Sequence, residues 1–453
     1  MWVGCLVFLM VILCWKAWQG PPSTAVGYVA VLALLFPTWL QSEIFGFEID
    51  LRVASGIIAL CVYCLHKRSV FNTKLVAVDF AVLMLVIVHV LSDFTNDGPS
   101  IVPLLIAYGE WIVPYLMGRL ALQRWDDVER LVPIAVLVCV MLSLESVYES
   151  LSHQNVFEII FGACPDEKKY LFRSGIMRAF GPTMNPIYFG SLILGLMPWT
   201  IFAAWLGLNR NGSVWYMATP IITFIGIVCT MSRAPILSTI PLVITILAYT
   251  MPKWRITLLT TVIIFIAVFS SNPKIVLDWM HRWTGDYHTQ SESRAKIHIN
   301  GEEVDYSSTL HRVYLFKVYG TAMRRAGLLG FGTVRTDEFP PNVPMGADHD
   351  VETQKRLWCV DNQYILYILR FGYLGLLCFL ATALTAMLAY RSIEHSNSRR
   401  QRFFAAAMTS GIVSTLLILL TVWMPQDFGY WLIWTIGGSA GMLSSLVRNP
   451  QFA

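Results

Sequence analysis

Charge is what this sequence has least of. Of 453 residues only 14% are charged, while 56% are hydrophobic. A soluble domain carries about 25% charged residues, so most of this chain must lie in lipid rather than water. A dense basic block is also missing and the net charge is only +4, which removes the case for a nucleic-acid binder. The short alternating segments of about 10 residues that build a membrane barrel are absent. The apolar runs are instead long and unbroken. Backbone groups in lipid must be satisfied within their own segment, so helices are the expected spanning elements. The N-terminus lacks the basic stretch and small-residue cleavage site of a signal peptide, and Met1 to Trp18 reads as a first spanning helix. Metal-ligand spacing is poor too. Asp348-His349-Asp350 reads first as a short acidic loop, and His288, His298 and His311 form no zinc pattern. Seven of the nine cysteines, the Cys61/Cys64 pair among them, fall in apolar runs and read as small buried residues. Only Cys164 and Cys359 sit in outer loops, where an oxidising compartment could join them.

What is present is a series of spans. A crossing helix needs roughly 20 mainly apolar residues. About thirteen segments qualify, near 2–18, 24–40, 51–65, 75–93, 101–119, 130–149, 186–207, 214–232, 235–251, 255–271, 363–390, 403–424 and 427–447. The first two are short; twelve spans result if one of them does not cross. The expected fold is therefore all-α and polytopic. Lys and Arg cluster at alternate joints: His66-Lys67-Arg68, Arg119 to Arg130, Arg210, Lys253 to Arg255, and Arg391 to Arg402. The positive-inside rule puts these joints and the C-terminus in the cytoplasm. The chain then divides into an N-terminal membrane part (1–271), a large extracytoplasmic loop (272–362) and three C-terminal spans (363–453). Loops this long are functional or disordered, and Trp279, Trp283, Tyr314, Phe316 and Tyr319 argue for order. Ser308 or Thr309 caps an expected helix running to about Arg325, lying on the membrane surface, which Gly327 to Gly332 then breaks.

The outer joints hold the residues suited to chemistry. Arg233 sits in a tight joint between two spans, at the hydrocarbon edge, where charge is costly and usually functional. Arg178 precedes the turn-rich stretch Phe180-Gly181-Pro182-Thr183-Met184-Asn185-Pro186; Arg173 lies just upstream and Arg312 on the loop helix. Guanidinium groups match phosphate oxygens, so together these arginines make a candidate site for a lipid-linked diphosphate. Positive partners also stabilise the negative charge that grows on a diphosphate leaving group. Asp361 is a candidate catalytic base, or else the partner that orients an arginine. Asn362 and Gln363 are candidate sugar contacts, although helix capping suits one of them equally. Trp111, Tyr115 and Arg119 read as an interface belt and topology signal.

Four stretches, in this order, resemble the O-antigen ligase and polymerase superfamily: Pro114-Tyr115-Leu116-Met117-Gly118-Arg119; Arg178-Ala179-Phe180-Gly181-Pro182 through Asn185-Pro186; Ser232-Arg233-Ala234; and Asp361-Asn362-Gln363-Tyr364 with Gly372 and Gly375. The resemblance implies a glycosyltransferase of the C-type architecture in the bacterial inner membrane. It implies no metal or other cofactor. The active site would face the periplasm and take a glycan from an undecaprenyl-diphosphate carrier. The diphosphate-binding role falls on Arg178, Arg233 and Arg312. Ligases of this family carry a histidine where this chain has Asp361; an aspartate followed by asparagine is closer to exopolysaccharide polymerases. The expected reaction is then polymerisation onto a lipid-linked repeat-unit acceptor, alongside a chain-length regulator or export complex. The alternatives are a ligase or protein O-oligosaccharyltransferase using the same donor, and, further off, a transporter or flippase.

Overall fold

The computed structural model describes residues 1–44, 47–66, 74–165, 172–173, 175–209, 214–251, 253, 256–257, 260, 296–299, 302–305, 308–337, 360–394, 398–425 and 427–448. Most of the expected span 255–271, together with Trp279, Trp283, His288, the Asp348-His349-Asp350 stretch and Cys359, lies outside them. So do the side chains of His298, His311 and Arg312.

The chain runs α1 (Trp2–Gln19), α2 (Pro22–Leu32) and a hairpin of β1 (Gln41–Ile44) and β2 (Phe47–Asp50) into α3 (Leu51–His66). Next come α4 (Ala77–Asp97), α5 (Ile101–Ala107), a π-turn (Tyr108–Ile112), α6 (Val113–Ala121), α7 (Trp125–Ser152) and α8 (Val156–Phe161). A second hairpin, β3 (Phe172–Arg173) and β4 (Ile176–Met177), leads to α9 (Pro186–Asn209), α10 (Val214–Cys229) and α11 (Arg233–Thr250). The remainder is β5 (Lys296–Ile299), β6 (Glu302–Asp305), α12 (Ser308–Arg325), α13 (Val334–Asp337), α14 (Gln363–Glu394), α15 (Arg399–Ile418) and α16 (Phe428–Arg448). Each two-stranded sheet is an antiparallel hairpin.

Among the described residues eight helical stretches are long and apolar enough to cross a membrane, the continuous Ile101–Ala121 run being one. Pro22–Leu35, Leu51–His66 and Trp215–Cys229 are shorter apolar helices. Every expected span that falls on described residues is helical, so the chain is an all-α, multi-pass membrane protein. α9 is apolar all round and takes the middle of the bundle, against α7, α10, α15 and α16. α6 and α16 press backbone to backbone. A Cβ at Gly118 would strike the Trp434 carbonyl, and one at Gly437 the Tyr115 carbonyl. Small residues permit such approach where lipid supplies no hydrophobic drive between helices.

The polar contacts sort to two ends. At one end Ser23 Oγ donates to Asp127 (2.9 Å) and Arg400 meets Glu129 (3.4 Å). Tyr63 and Gln123 bond there, and Arg119 pairs with Asp79 at 2.6 Å. At the other end Arg52 Nη2 donates to the Phe36 carbonyl (3.0 Å) and the Thr38 amide to the Pro182 carbonyl (2.9 Å). Asn362 Nδ2 donates there to the Leu420 carbonyl (3.0 Å).

Three expectations are corrected. Trp111, Tyr115 and Arg119 are no surface belt: all three are buried. Tyr115 and Arg119 both bond Asp79, and Trp111 donates to His89. Cys14, on α1, and Cys61 and Cys64, on α3, are exposed rather than buried, because those flanks of the helices face away from the bundle. The expected helix runs Ser308–Arg325, so Ser308 and Thr309 are its first residues rather than its cap, and it does not lie alone on a surface. Leu315, Val318, Tyr319 and Ala322 of α12 pack against Ile365, Leu366 and Leu369 of α14.

Candidate functional site

Three of the four proposed diphosphate ligands converge on one turn. α10 ends at Cys229, and α11 begins at Arg233. The reversal between them is so tight that Met231 adopts φ 47°, a left-handed backbone that costs an L side chain energy and gathers at functional sites. Arg178 lies over this turn: its Nε donates to the Thr230 carbonyl (3.4 Å) and its Nη2 to Ser232 Oγ (3.1 Å). Arg173 Nη1 donates to the Met231 carbonyl at 2.6 Å. All three arginines are half-buried. Burial first, and then the charges of Arg173 and Arg233, push Arg178 down to about 9, well below the ordinary arginine value. Like charges held together out of water favour an anion between them.

The stretch that presents Arg178 is clamped from below. Glu149, at the end of α7, accepts from the amides of Phe180 (3.2 Å) and Gly181 (2.9 Å). Asn155 Nδ2 donates to the Gly181 carbonyl (2.9 Å), and the Ala179 amide to the Cys229 carbonyl (3.3 Å). Gly181 is required: its φ is 52°, and a Cβ there would run into the Phe189 ring. Glu149 was not among the sequence-derived candidates. Two acids one turn apart, Glu145 and Glu149, inside an apolar run were the available signal.

The other candidates have separate positions. Asp361 is half-buried one residue before the helix cap. Asn362 is that cap: its Oδ1 accepts from the amides of Tyr364 (3.0 Å) and Ile365 (3.1 Å). With its amide also committed to Leu420, Asn362 holds structure, and the capping role considered for it is the one its bonds describe. Gln363 Oε1 accepts from the Met424 amide (2.7 Å), tying α14 to the α15–α16 connection. Arg312 lies on α12; its side chain is outside the described residues.

A pocket of about 580 Å³, its open mouth included, sits at the same end of the bundle. Asp50, Arg52, Glu110, Trp111, Gln363, Tyr367 and Arg370 are among its lining residues. Four contacts link the pocket to the stretch that follows Arg178. Phe36 and Thr38 reach Arg52 and Pro182 respectively, and the Tyr188 ring meets Trp423 (5.7 Å) and Phe428 (6.3 Å), which flank the pocket residues Met424 and Pro425.

No protein-family model matches the chain, and no curated protein matches it. Fold and site by themselves define the class: a multi-pass helical membrane protein with a basic cluster and a polar pocket at one end of its bundle.

Proposed function

We propose that this chain is a lipid-diphosphate-dependent membrane glycosyltransferase that polymerises a bacterial surface polysaccharide. A glycan on an undecaprenyl-diphosphate carrier is the donor, and a lipid-linked repeat unit is the acceptor. The observation that carries this reading is the convergence of Arg173, Arg178 and Arg233 on the Thr230–Ser232 turn, at the end opposite the basic joints. If those joints face the cytoplasm, the arginines face outward, where the carrier's head group would lie with its tail in the bilayer.

In the reaction an acceptor hydroxyl attacks the anomeric carbon, and the bond from that carbon to the diphosphate oxygen breaks. The leaving diphosphate takes up negative charge, which the guanidinium groups stabilise more strongly in the transition state than in the bound substrate. The hydroxyl proton passes to a base, for which Asp361 is the candidate. The Glu149 clamp and the α10–α11 turn fix the arginines before substrate arrives, so little reorganisation accompanies the reaction.

Replacing Arg233 by Ala is expected to abolish polymer while single repeat units accumulate on the carrier, as resolved by gel and mass analysis of extracted glycolipid. Polymer of normal length at normal protein level would reject the reading and leave a scaffold role. Supplying purified lipid-linked, lipid A core and protein acceptors separates polymerase from ligase.

A further inference from the structure

The pocket contains features that the diphosphate site does not use. Two helices break regularity at its wall. The run from α5 to α6 opens into the π-turn that carries Gly109, Glu110 and Trp111 to the pocket. α14 contains Gly372 at φ 67°, next to Arg370 and Phe371. Irregular backbone at membrane depth is tolerated where it lines a cavity, and π-turns recur at functional sites.

The lining is balanced. Arg52 pairs with Asp50 at 3.5 Å, and Arg370 and Glu110 add one charge of each sign. An anion gains no net attraction there. The buried side chains of Trp111, Tyr367, Phe371 and Tyr430 make up much of the apolar lining. Two buried donors also lack a hydrogen-bond partner: Arg52 Nε, and the Tyr367 hydroxyl, which faces Gln363 without hydrogen-bond geometry. An orphaned buried donor is costly, so an oxygen-bearing guest that reached either one would be stabilised there.

The wall is also held rigid from behind. Trp111 Nε1 donates to His89 Nδ1 (3.0 Å), and His89 Nε2 faces Asp93 (3.4 Å). Asp93 in turn accepts from the amide (2.6 Å) and hydroxyl (2.7 Å) of Thr333. Arg370 Nε donates to Thr336 Oγ1 at 3.1 Å.

We propose that this pocket is a binding site for an uncharged sugar ring and, on the transferase reading above, that it receives the terminal sugar of the acceptor chain. Hydroxyl groups both donate and accept, so a sugar bonds to carboxylates and guanidinium groups alike, while its apolar face packs against aromatic side chains. The Asp50 and Glu110 carboxylates would repel a diphosphate.

The test uses saturation-transfer NMR on the purified full-length protein in detergent, with a panel of uncharged methyl glycosides. Saturation is expected to reach at least one glycoside. Tyr367→Phe, which removes only a hydroxyl, and Glu110→Gln should each weaken binding about fivefold, the worth of one lost hydrogen bond. Added inorganic pyrophosphate should leave the signal unchanged. The proposal is overturned if no glycoside binds, if both pocket variants bind as well as the parent, or if pyrophosphate displaces the glycoside. Failure here with polymer still lost in Arg233→Ala would remove the sugar site and leave the transferase reading standing.

Discussion

Arg178 is held in its charged form against two opposing effects, removal from water and the neighbouring guanidinium groups of Arg173 and Arg233. Its pKa, pushed down to about 9, sets a pH signature. Below that value both folded and unfolded chains carry the proton, and the folded chain bears the full repulsion. Between it and the ordinary, higher arginine value the unfolded chain binds the extra proton, so this residue's contribution to stability rises with pH. A bound diphosphate acts in the opposite sense, because its attraction requires the charged form. Thermal stabilisation by inorganic pyrophosphate is therefore expected to be large near pH 7 and to decline as pH passes through about 9. Arg178→Gln should lose that step, and without ligand should melt no lower than the parent. A melting series with and without pyrophosphate reads both effects; pyrophosphate stabilisation that persists unchanged through the alkaline range contradicts this account. Removing one charge-assisted contact costs about 1.5–3 kcal/mol of binding, so the variant should bind pyrophosphate about 10- to 100-fold more weakly.

Elements meet at two places where a single atom matters. α6 and α16 approach so closely that Gly118, Gly437 and Gly441 all face backbone. Gly118→Ala should force the helices apart at a cost of about 1–3 kcal/mol or more, seen as a lower melting temperature in detergent. An unchanged melt would mean that the helices are not packed this way. Gly118 belongs to the Pro114–Arg119 stretch that carries the family resemblance, so close packing accounts for one residue of that motif without chemistry. The Glu149 clamp is the second place. On the transferase reading, Glu149→Ala should impair polymer formation as severely as loss of Arg178, although every arginine remains, because the Phe180 and Gly181 amides lose their acceptor. Glu149→Gln keeps one acceptor oxygen and should recover part of the activity. Equal loss in both variants would point instead to a requirement for the charge itself.

The whole molecule has two polar ends, and its orientation follows from which end the basic joints occupy. With Cys14, Cys61 and Cys64 replaced, a membrane-impermeant thiol reagent should label Ser100→Cys in intact spheroplasts and label Arg399→Cys only after lysis. The reverse pattern would turn the arginine turn toward the cytoplasm and end the transferase reading. Much of this architecture was legible in the sequence. Apolar runs of spanning length, basic joints at alternate positions and the Ser308–Arg325 helix are local properties, because lipid forces each segment to satisfy its own backbone. That is why the spans that fall on described residues are helices, and why Arg233 stood out as a costly charge at a short joint. Pairing across the fold was not legible. Nothing local says that Trp111 turns inward to His89, that Cys61 and Cys64 turn outward, or that Asn362 spends its amide on a carbonyl 58 residues away. Nor does spacing show Asp50, Glu110 and Arg370 sharing one cavity, since they come from three separate stretches of chain. A helix's own sequence sets its length and polarity, but which face it buries depends on neighbours distant in sequence. The spans were therefore the sequence's to determine; the pocket, and the arginines' shared turn, were decided only by packing.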